Sequence, residues 1–148
     1  MAITKDEVIS LMNEFHEVTM VRKGTAAEQA AFFLHPDEAR VIVPHGEDIS
    51  MQANFEVHQR LTDEVHVPLE PSDITMLSAE PERAHFIGAV YWEGRPVNSP
   101  EAAVKAVVGE DWIVQREASG DLKIVLYINP YHYFLPGSAQ PDLNIDLG

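Results

Sequence analysis

The sequence predicts an α+β fold in which N-terminal helices pack into one strongly curved, antiparallel-rich sheet. Before Val65 the apolar residues recur mostly at helical intervals, whereas after Val65 they alternate with polar residues as strands do. The strand-like segments also follow one another through short turns, which favours antiparallel pairing. Helices that precede such a sheet bury their apolar faces when the sheet curves around one of them, and the inside of that shape is usually a pocket.

The length and composition indicate one soluble domain. The 148 residues suffice for a single core over residues 1–148, and residues 136–148 have the composition of a surface tail. The 24 acidic residues outnumber the 10 basic ones, and a net charge of −14 argues against nucleic acid and anionic membranes as partners. The chain has no cysteine, and therefore no disulfide or thiolate metal site. With no secretion leader and no membrane-length apolar run, it is expected to be cytoplasmic.

The first helix is predicted to begin at Thr4, because Thr4 and Glu7 have the spacing of a capping box. Thr25 and Glu28 repeat that spacing and open a second helix. Between the two, Gly24 is expected to end the first helical region in a left-handed turn, since glycine adopts positive φ without strain. The apolar face of the first helix consists of Val8, Leu11, Met12, Phe15 and Val18.

A short strand and a third helix complete the first half of the chain. The second helix should continue to Leu34 and end at His35-Pro36-Asp37. β-Branched residues within positions 39–43 predict a strand that ends at Pro44-His45-Gly46. Ser50 is the expected cap of the third helix. The apolar face of that helix consists of Met51, Phe55 and Leu61.

The second half of the chain is predicted to form a meander of up to five strands. Gly94-Arg95-Pro96 and Ser119-Gly120 are the expected turns. The strands are expected at positions 65–69, 74–79, 84–93, 104–117 and 122–134.

The facing of side chains in the last hairpin follows from its turn. If Ser119 and Gly120 are the two central residues of a tight turn, one face of the hairpin carries three cross-strand pairs. These pairs are Glu110 with Asn129, Trp112 with Tyr127, and Val108 with Tyr131.

The opposite face of this hairpin is also apolar, so something should cover it. We expect a homodimer that is joined through this face together with the aromatic residues near His132, because soluble monomers rarely expose large apolar patches. Leu143, Ile145 and Leu147 of the tail could extend that contact. The face comprises Val107, Gly109, Asp111 and Ile113 against Ile124, Leu126 and Ile128.

The order of elements resembles the nuclear transport factor 2-like (NTF2-like) superfamily, which includes ketosteroid isomerases and SnoaL-like polyketide cyclases. Two segments carry the resemblance, residues 33–46 and residues 109–116 with the hairpin that follows, and the similarity extends from Thr4 to Pro136. It implies a cone-shaped cystatin/NTF2-like fold, a pocket at the open end, and usually a homodimer joined through sheet surfaces. The superfamily hosts many activities, so the resemblance names none.

The resemblance also indicates that steroid-isomerase chemistry is improbable in this chain. The isomerases' catalytic tyrosine matches Phe15, their general base matches Val43, and their second acid matches Val108. All three positions are apolar here, so none can donate or accept the proton that the reaction moves.

Glu110 is the acid best suited to catalysis. It is expected on the face shared with Trp112, where apolar surroundings would raise its pKa and suit it to general acid or base work. The alternative is that Glu110 is solvated at the rim or pairs with Arg116. The expected pocket residues are Met12, Phe15, Trp112, Tyr127, Asn129 and Tyr131, although the aromatic ones could simply fill the core.

The histidines do not have the spacing of a metal site. His58 and His66 flank Asp63 and Glu64, but no pair has the tight helical spacing typical of zinc ligands. The sequence therefore predicts no metal. It also predicts no cofactor, since phosphate-binding glycine loops and nucleophile motifs are missing. Two histidines in one cavity would suit a dehydratase, but the sequence leaves the facing of His45, His58 and His85 open.

Three hypotheses for function follow from the sequence. The first is binding of a small apolar or aromatic molecule inside the cone. The second is an isomerase, cyclase or dehydratase that uses Glu110 as acid or base. The third is a non-catalytic structural module, like the small subunit of ring-hydroxylating dioxygenases. An enzyme requires a buried titratable group in an open cavity, whereas a structural module can have a cone filled with side chains.

Overall fold

A computed structural model describes residues 2–139 of the chain. Within them, helices and a seven-stranded sheet form the predicted α+β cone, and the sheet is curled but not closed. The strands are ordered β2-β1-β6-β5-β4-β3, and β7 pairs with β5. The helices are α1 (Lys5–His16), α2 (Ala26–Ala30) and α3 (Met51–Gln59), with a π-helical turn at Glu17–Val21. The strands are β1 (Arg40–Ile42), β2 (Asp48–Ser50), β3 (Leu61–Ala79), β4 (Glu82–Pro96), β5 (Val104–Arg116), β6 (Leu122–Ile128) and β7 (His132–Phe134).

Both predicted capping boxes are present, but the turn between the first two helices differs from the prediction. The backbone N–H of Glu7 donates to Thr4 Oγ1, and that of Glu28 donates to Thr25 Oγ1, each at 3.2 Å. The left-handed residue is Lys23, with φ 54°, and not Gly24. Glycine is needed at position 24 for space, because a Cβ there would lie 2.6 Å from a methyl group of Val18.

Helix α2 ends earlier than predicted because the chain that follows it joins the sheet. Phe33 forms an isolated parallel bridge with Ile124 of β6. The N–H of Leu34 donates to the carbonyl of Ile124 at 2.9 Å, and the N–H of Ile124 donates to that of Phe32 at 2.9 Å. The N–H of Leu34 and the carbonyl of Phe32 are thereby satisfied by the sheet, so the helix does not continue beyond them.

Several strands begin or end at positions that differ from the prediction. The segments expected at 65–69 and 74–79 belong to one long strand, β3, which continues through register shifts. Gly94-Arg95-Pro96 is not a turn, because these residues pair within the sheet, Gly94 with Val104 and Pro96 with Leu61. Strand β2 was not predicted, and the last expected strand is split into β6 and β7.

The last hairpin departs from the predicted register twice, and the departures cancel. The turn is longer than two residues, so Val114 pairs with Ile124. One extra residue, Val125, then bulges out of β6, and Trp112 pairs with Tyr127 as predicted. Ile124 consequently faces the inside of the cone with 0% exposure, contrary to the expectation that it contributes to an outer face.

The segment after β6 places Tyr131 on the opposite side of the sheet from the one predicted. Strand β7 pairs Val108 with His132, not with Tyr131 as predicted. Tyr131 is therefore on the outside, 46% exposed, and its ring covers Gly109, where a Cβ would lie 2.6 Å from a ring carbon. His132 takes the inward position instead.

Helix α1 lies across the concave side of the sheet and supplies much of the core. Phe15, almost fully buried, has its ring near those of Phe32, Phe33, Trp112 and Tyr127. The expected tail contact through Leu143, Ile145 and Leu147 lies outside the described residues. Among the helices that the structure describes, none is long and apolar enough to cross a membrane.

Candidate functional site

A cavity of about 340 Å³ lies inside the cone. Its wall is formed mainly by apolar side chains of α1, α3 and the concave face of the sheet. A few polar groups interrupt this surface, which is the usual composition of a small-molecule site. The side chains in the wall that can hydrogen-bond include His16, Asn54, His58, His66, Glu110, Tyr127, Asn129 and His132.

Glu110 is buried in the cavity wall without a cationic partner. Only 2% of the residue is exposed. Its Oε2 accepts hydrogen bonds from Trp112 Nε1 at 2.7 Å and from Asn129 Nδ2 at 3.2 Å. Burial raises the pKa of Glu110 to about 8, although hydrogen bonds from Trp112, Tyr127 and Asn129 oppose that rise. The alternative that Glu110 pairs with Arg116 is contradicted, because Arg116 binds Glu7 and Glu82.

His16, which was not among the predicted site residues, contacts Glu110 from α1. Its Nδ1 lies 2.8 Å from the carbonyl of Met12, so the hydrogen is on Nδ1 and donates to that oxygen. Its Nε2 lies within hydrogen-bond distance of the hydroxyl of Tyr127, at 3.1 Å, and 3.9 Å from Glu110 Oε1. Burial holds the pKa of His16 well below its usual value, and the neighbouring His66 lowers it further. In the sequence, its position four residues after Met12 already indicates that it lies on the buried face of the first helix.

His66 of β3 completes this cluster. Its ring stacks on that of His16 with centroids 3.6 Å apart and planes inclined by 27°. Among the described residues, no group hydrogen-bonds its buried Nε2. Burial lowers the pKa of His66 to about 4, so this imidazole is neutral at physiological pH.

His16, His66 and Glu110 each offer one possible metal-ligating atom, and these atoms lie within 4.8 Å of one another. Two histidines and one carboxylate are a ligand set that zinc and iron use. A ligating imidazole directs its lone pair in the plane of its ring. Because the two rings are stacked, their lone pairs run nearly side by side and do not converge on one point. The two rings would have to rotate apart to bind one ion together.

A second polar group, centred on Glu64 of β3, lies beside the cavity. The side chain of Glu64 is 0% exposed and accepts from Lys23 Nζ at 2.8 Å, from His58 Nδ1 at 2.8 Å and from Trp92 Nε1 at 3.0 Å. Burial raises the pKa of Glu64, but the charges and hydrogen bonds of His58 and Lys23 outweigh that effect and lower the pKa overall. Glu64 is therefore a buried carboxylate.

The structure brings together some of the predicted site residues and separates others. Met12 and Trp112 are buried in the core and lie behind the cavity wall, and Tyr131 faces outward. His45 is exposed in the loop before β2, and His85 is on the convex face of the sheet, where it contacts Asp111. The predicted residues in the cavity wall are Phe15, Glu110, Tyr127 and Asn129, together with Val43 and Val108 at the positions matched to the isomerases.

Comparisons with known proteins identify the fold. No family model and no curated protein matches the chain. Among solved structures, a ketosteroid isomerase-like protein from Erwinia carotovora atroseptica is similar, with a TM-score of 0.57 and 14% identity over 84% of this chain and 89% of that one. An NTF2-like protein with a cystatin-like fold from Novosphingobium aromaticivorans has a TM-score of 0.53 and 14% identity over 91% of this chain and 84% of that one.

An NTF2-like protein from Cytophaga hutchinsonii has a TM-score of 0.52 and 13% identity over 90% of this chain and all of its own. These similarities confirm that the chain has the cystatin-like, NTF2-like fold that its sequence resembles. At such low identity they establish the fold and no activity.

Proposed function

We propose that this protein is an enzyme that binds an apolar small molecule carrying a hydroxyl or carbonyl oxygen and transfers a proton to that oxygen from Glu110. The observation that carries the proposal is the burial of the Glu110 carboxyl in the wall of an apolar cavity without a cationic partner. Carboxyl groups are rarely buried in this way without a role in binding or chemistry.

The protonation state of Glu110 supports the role of a general acid. With a pKa of about 8, this carboxyl is mostly protonated at physiological pH and can donate. A general acid is most efficient when its pKa lies near the working pH. The groups that face it do not supply a compensating charge, because burial also keeps His16 and His66 neutral and raises the pKa of Tyr127 well above its usual value.

The hydrogen bonds around Glu110 fix its orientation. Trp112 and Asn129 both donate to Oε2, and Asn129 is itself held by the carbonyl of Gly109 at 2.9 Å. The hydroxyl of Tyr127 also hydrogen-bonds the carboxyl, and His16 Nε2 lies 3.9 Å from Oε1. Because Oε2 accepts from Trp112 and Asn129, the carboxyl proton is assigned to Oε1, and a ligand oxygen receives it there.

An open cavity with a buried acid favours an enzyme over the two other hypotheses. A structural module has no need of an empty cone, and a passive binder has no need of a carboxyl with a raised pKa. One structural neighbour is named ketosteroid isomerase-like. Because Phe15, Val43 and Val108 replace that family's catalytic groups, the proton chemistry proposed here uses a different residue, Glu110.

The proposal can be tested by binding of benzalacetone, a neutral aromatic ketone. Trp92 lies in the cavity wall, so binding should quench tryptophan fluorescence. Above pH 8 the affinity should fall about tenfold per pH unit, because ionised Glu110 no longer donates to the ketone oxygen. The Glu110→Gln variant keeps an N–H donor without an ionisable group, so its affinity should not change over this range.

Asp111→Asn is the matched control, since Asp111 is the next residue of β5 and faces the convex side. That variant should retain the pH dependence of the wild-type protein. Wild-type affinity that is constant across pH, or absence of binding, would contradict the proposed role of Glu110.

A further inference from the structure

We infer that the ligand oxygen is a hydroxyl group, which accepts a hydrogen bond from Glu110 and donates one to Nε2 of His66, a wall atom that no described residue satisfies. The hydroxyl of Thr19, which is also unsatisfied among the described residues, is the third partner of the same oxygen. The inference rests on the proposed function of Glu110. It adds the class of ligand, an apolar alcohol, and the two residues that select an alcohol over a ketone.

Two buried side-chain polar atoms lack a hydrogen-bond partner among the described residues, and both belong to residues of the cavity wall. They are Thr19 Oγ1 and His66 Nε2. Thr19 as a whole is only 1% exposed. A buried polar atom without a partner lowers stability, so native proteins rarely keep one that has no role. Two such atoms in the wall of one cavity indicate that a ligand completes their hydrogen bonding.

Thr19 lies in the π-helical turn that follows α1. In this turn the N–H of Arg22 donates to the carbonyl of Glu17, five residues earlier, at 3.0 Å. A threonine inside a helix usually points to solvent or donates to the carbonyl four residues earlier. Thr19 does neither, because it is buried and its Oγ1 has no partner among the described residues. π-Helical turns are frequent at functional sites, and this one leaves a hydroxyl free to donate and to accept.

The tautomer of His66 makes Nε2 a hydrogen-bond acceptor. A hydrogen bond from the ring to the backbone carbonyl of the same residue opposes the lowering of the His66 pKa. Nε2 has no partner, so this bond is made by Nδ1, which therefore carries the hydrogen. Because the pKa is lowered to about 4, the ring is neutral at physiological pH and its lone pair is on Nε2. Only a ligand group that has a hydrogen to donate can satisfy this atom.

The neighbouring carboxyl of Glu110 narrows the ligand group to a hydroxyl. A ring nitrogen of His66 and a carboxyl oxygen of Glu110 lie within 4.8 Å of each other, so one small group can contact both residues. A hydroxyl has one hydrogen and two lone pairs, so it can donate to His66 and accept from Glu110 and Thr19. A carbonyl oxygen has no hydrogen and leaves Nε2 unsatisfied. A protonated amine would bring a charge into an apolar cavity, which is costly.

The test compares two probes that differ only at this oxygen, benzalacetone and the alcohol formed by reducing its carbonyl, 4-phenylbut-3-en-2-ol. In calorimetric titrations at neutral pH, wild-type protein should bind the alcohol about tenfold more tightly, because the ketone leaves His66 Nε2 unpaired. His66→Phe keeps a flat ring to stack on His16 but removes the acceptor. This variant should bind the two probes with similar affinity, and its affinity for benzalacetone should not fall.

Thr19→Val and Thr19→Ser are the matched variants for the second atom. Valine has the shape of threonine without its oxygen, whereas serine keeps the oxygen. Thr19→Val should weaken binding of the alcohol about fivefold, and Thr19→Ser should retain it. In urea unfolding without ligand, Thr19→Val should be at least as stable as wild type, because it removes a buried oxygen that no described residue satisfies. Lower stability of Thr19→Val with unchanged binding would assign the hydroxyl a structural role and overturn its place in the site.

The outcomes distinguish this inference from the proposed function. Equal affinity of wild-type protein for the two probes, failure of the alcohol to bind, or an alcohol preference that persists in His66→Phe overturns the role of His66. In each case, pH-dependent binding of benzalacetone would still support Glu110. Benzalacetone affinity that is constant across pH contradicts the role of Glu110, whereas an alcohol preference lost in His66→Phe still supports His66. If His66→Phe does not fold, nitrogen NMR decides, since equal shifts of wild-type His66 Nε2 with both probes overturn the inference.

Discussion

Glu110 and His66 have pKa values displaced in opposite directions by the same cause. Burial favours the neutral form of each group, so the pKa of the acid rises to about 8 and that of the base falls to about 4. Around physiological pH both groups are neutral, so the part of the wall around them offers hydrogen-bond donors and acceptors without a charge. Such a wall suits a neutral ligand with one oxygen.

The raised pKa of Glu110 predicts that stability decreases as pH rises. Between the ordinary value of 4.5 and about 8, the folded protein keeps a proton that the unfolded chain has released. The free energy of unfolding should therefore fall by about 1.4 kcal/mol per pH unit from this group alone. Urea unfolding of wild type and Glu110→Gln at several pH values measures the difference. The stabilising contribution of Glu110 to the free energy of unfolding should be fully present below pH 4.5 and absent above pH 8. Parallel curves for the two proteins would show that Glu110 is ionised when folded.

The lowered pKa of His66 predicts the opposite dependence. Between about 4 and the ordinary value of 6.5, the unfolded chain binds a proton that the folded protein does not. Stability should therefore decrease as pH falls through that window, by about 1.4 kcal/mol per unit from this group. His66→Asn should reduce this loss in the same urea experiment. If the free energy of unfolding of the variant falls at acid pH as steeply as that of the wild-type protein, His66 is accessible to protons in the folded state.

At the scale of elements, local caps decide where the helices begin. Thr25 and Glu28 satisfy each other's backbone N–H groups at the start of α2. This helix has only five residues, Ala26–Ala30, so its cap is a large share of its own hydrogen bonding.

Thr25→Ala is accordingly expected to lower the free energy of unfolding by about 1 kcal/mol, whereas Thr25→Ser should be nearly neutral because serine keeps the capping oxygen. Chemical denaturation of the two variants measures both effects. Equal losses in the serine and alanine variants would assign the effect to the threonine methyl group and not to the cap.

Irregularities in the strands also act at this scale. Together with the alternation of side chains, they decide which side of the sheet each side chain lies on. The bulge at Val125 returns Tyr127 to the concave side after the longer turn has displaced the register. The bend before β7 then exposes Tyr131 and turns His132 inward. A one-residue slip exchanges the two faces of a strand, so each irregularity changes which side chains reach the cavity.

At the scale of the whole molecule, the convex face of the sheet is the candidate interface. Val67, Tyr91, Val107 and Tyr133 form one cross-strand row over β3, β4, β5 and β7. Val67 is 46% exposed and Tyr133 is 59% exposed. Apolar side chains that are aligned in this way favour pairing with a second copy of the chain.

We propose that this row, which keeps Val107 of the predicted face but not the buried Ile124, forms a homodimer. Light scattering at micromolar concentration should give a dimer mass for the wild-type protein and a monomer mass for Tyr133→Glu. Added salt should strengthen the dimer, because two chains of net charge −14 repel each other. Val97→Glu, at an exposed position in the loop after β4, is the control. A wild-type monomer would remove the row from consideration as a dimer interface.

The sequence by itself determined the features that depend on near neighbours. The capping boxes, the short strand before Pro44 and the change of period near Val65 involve residues a few positions apart, so their physical causes are visible in the sequence. The NTF2-like fold followed from the order of these elements. Glu110 was found because its strand and turn indicated an apolar setting.

Only the tertiary structure decided which groups share the cavity. His16, His66 and Glu110 come from α1, β3 and β5, and no spacing in the sequence links them. The bulge at Val125 also depends on distant packing, because it lets both Ile124 and Tyr127 face the core although they are an odd number of residues apart. Long-range packing selects such irregularities from several registers of similar local energy. The composition of the site therefore emerges when the sheet curls around α1.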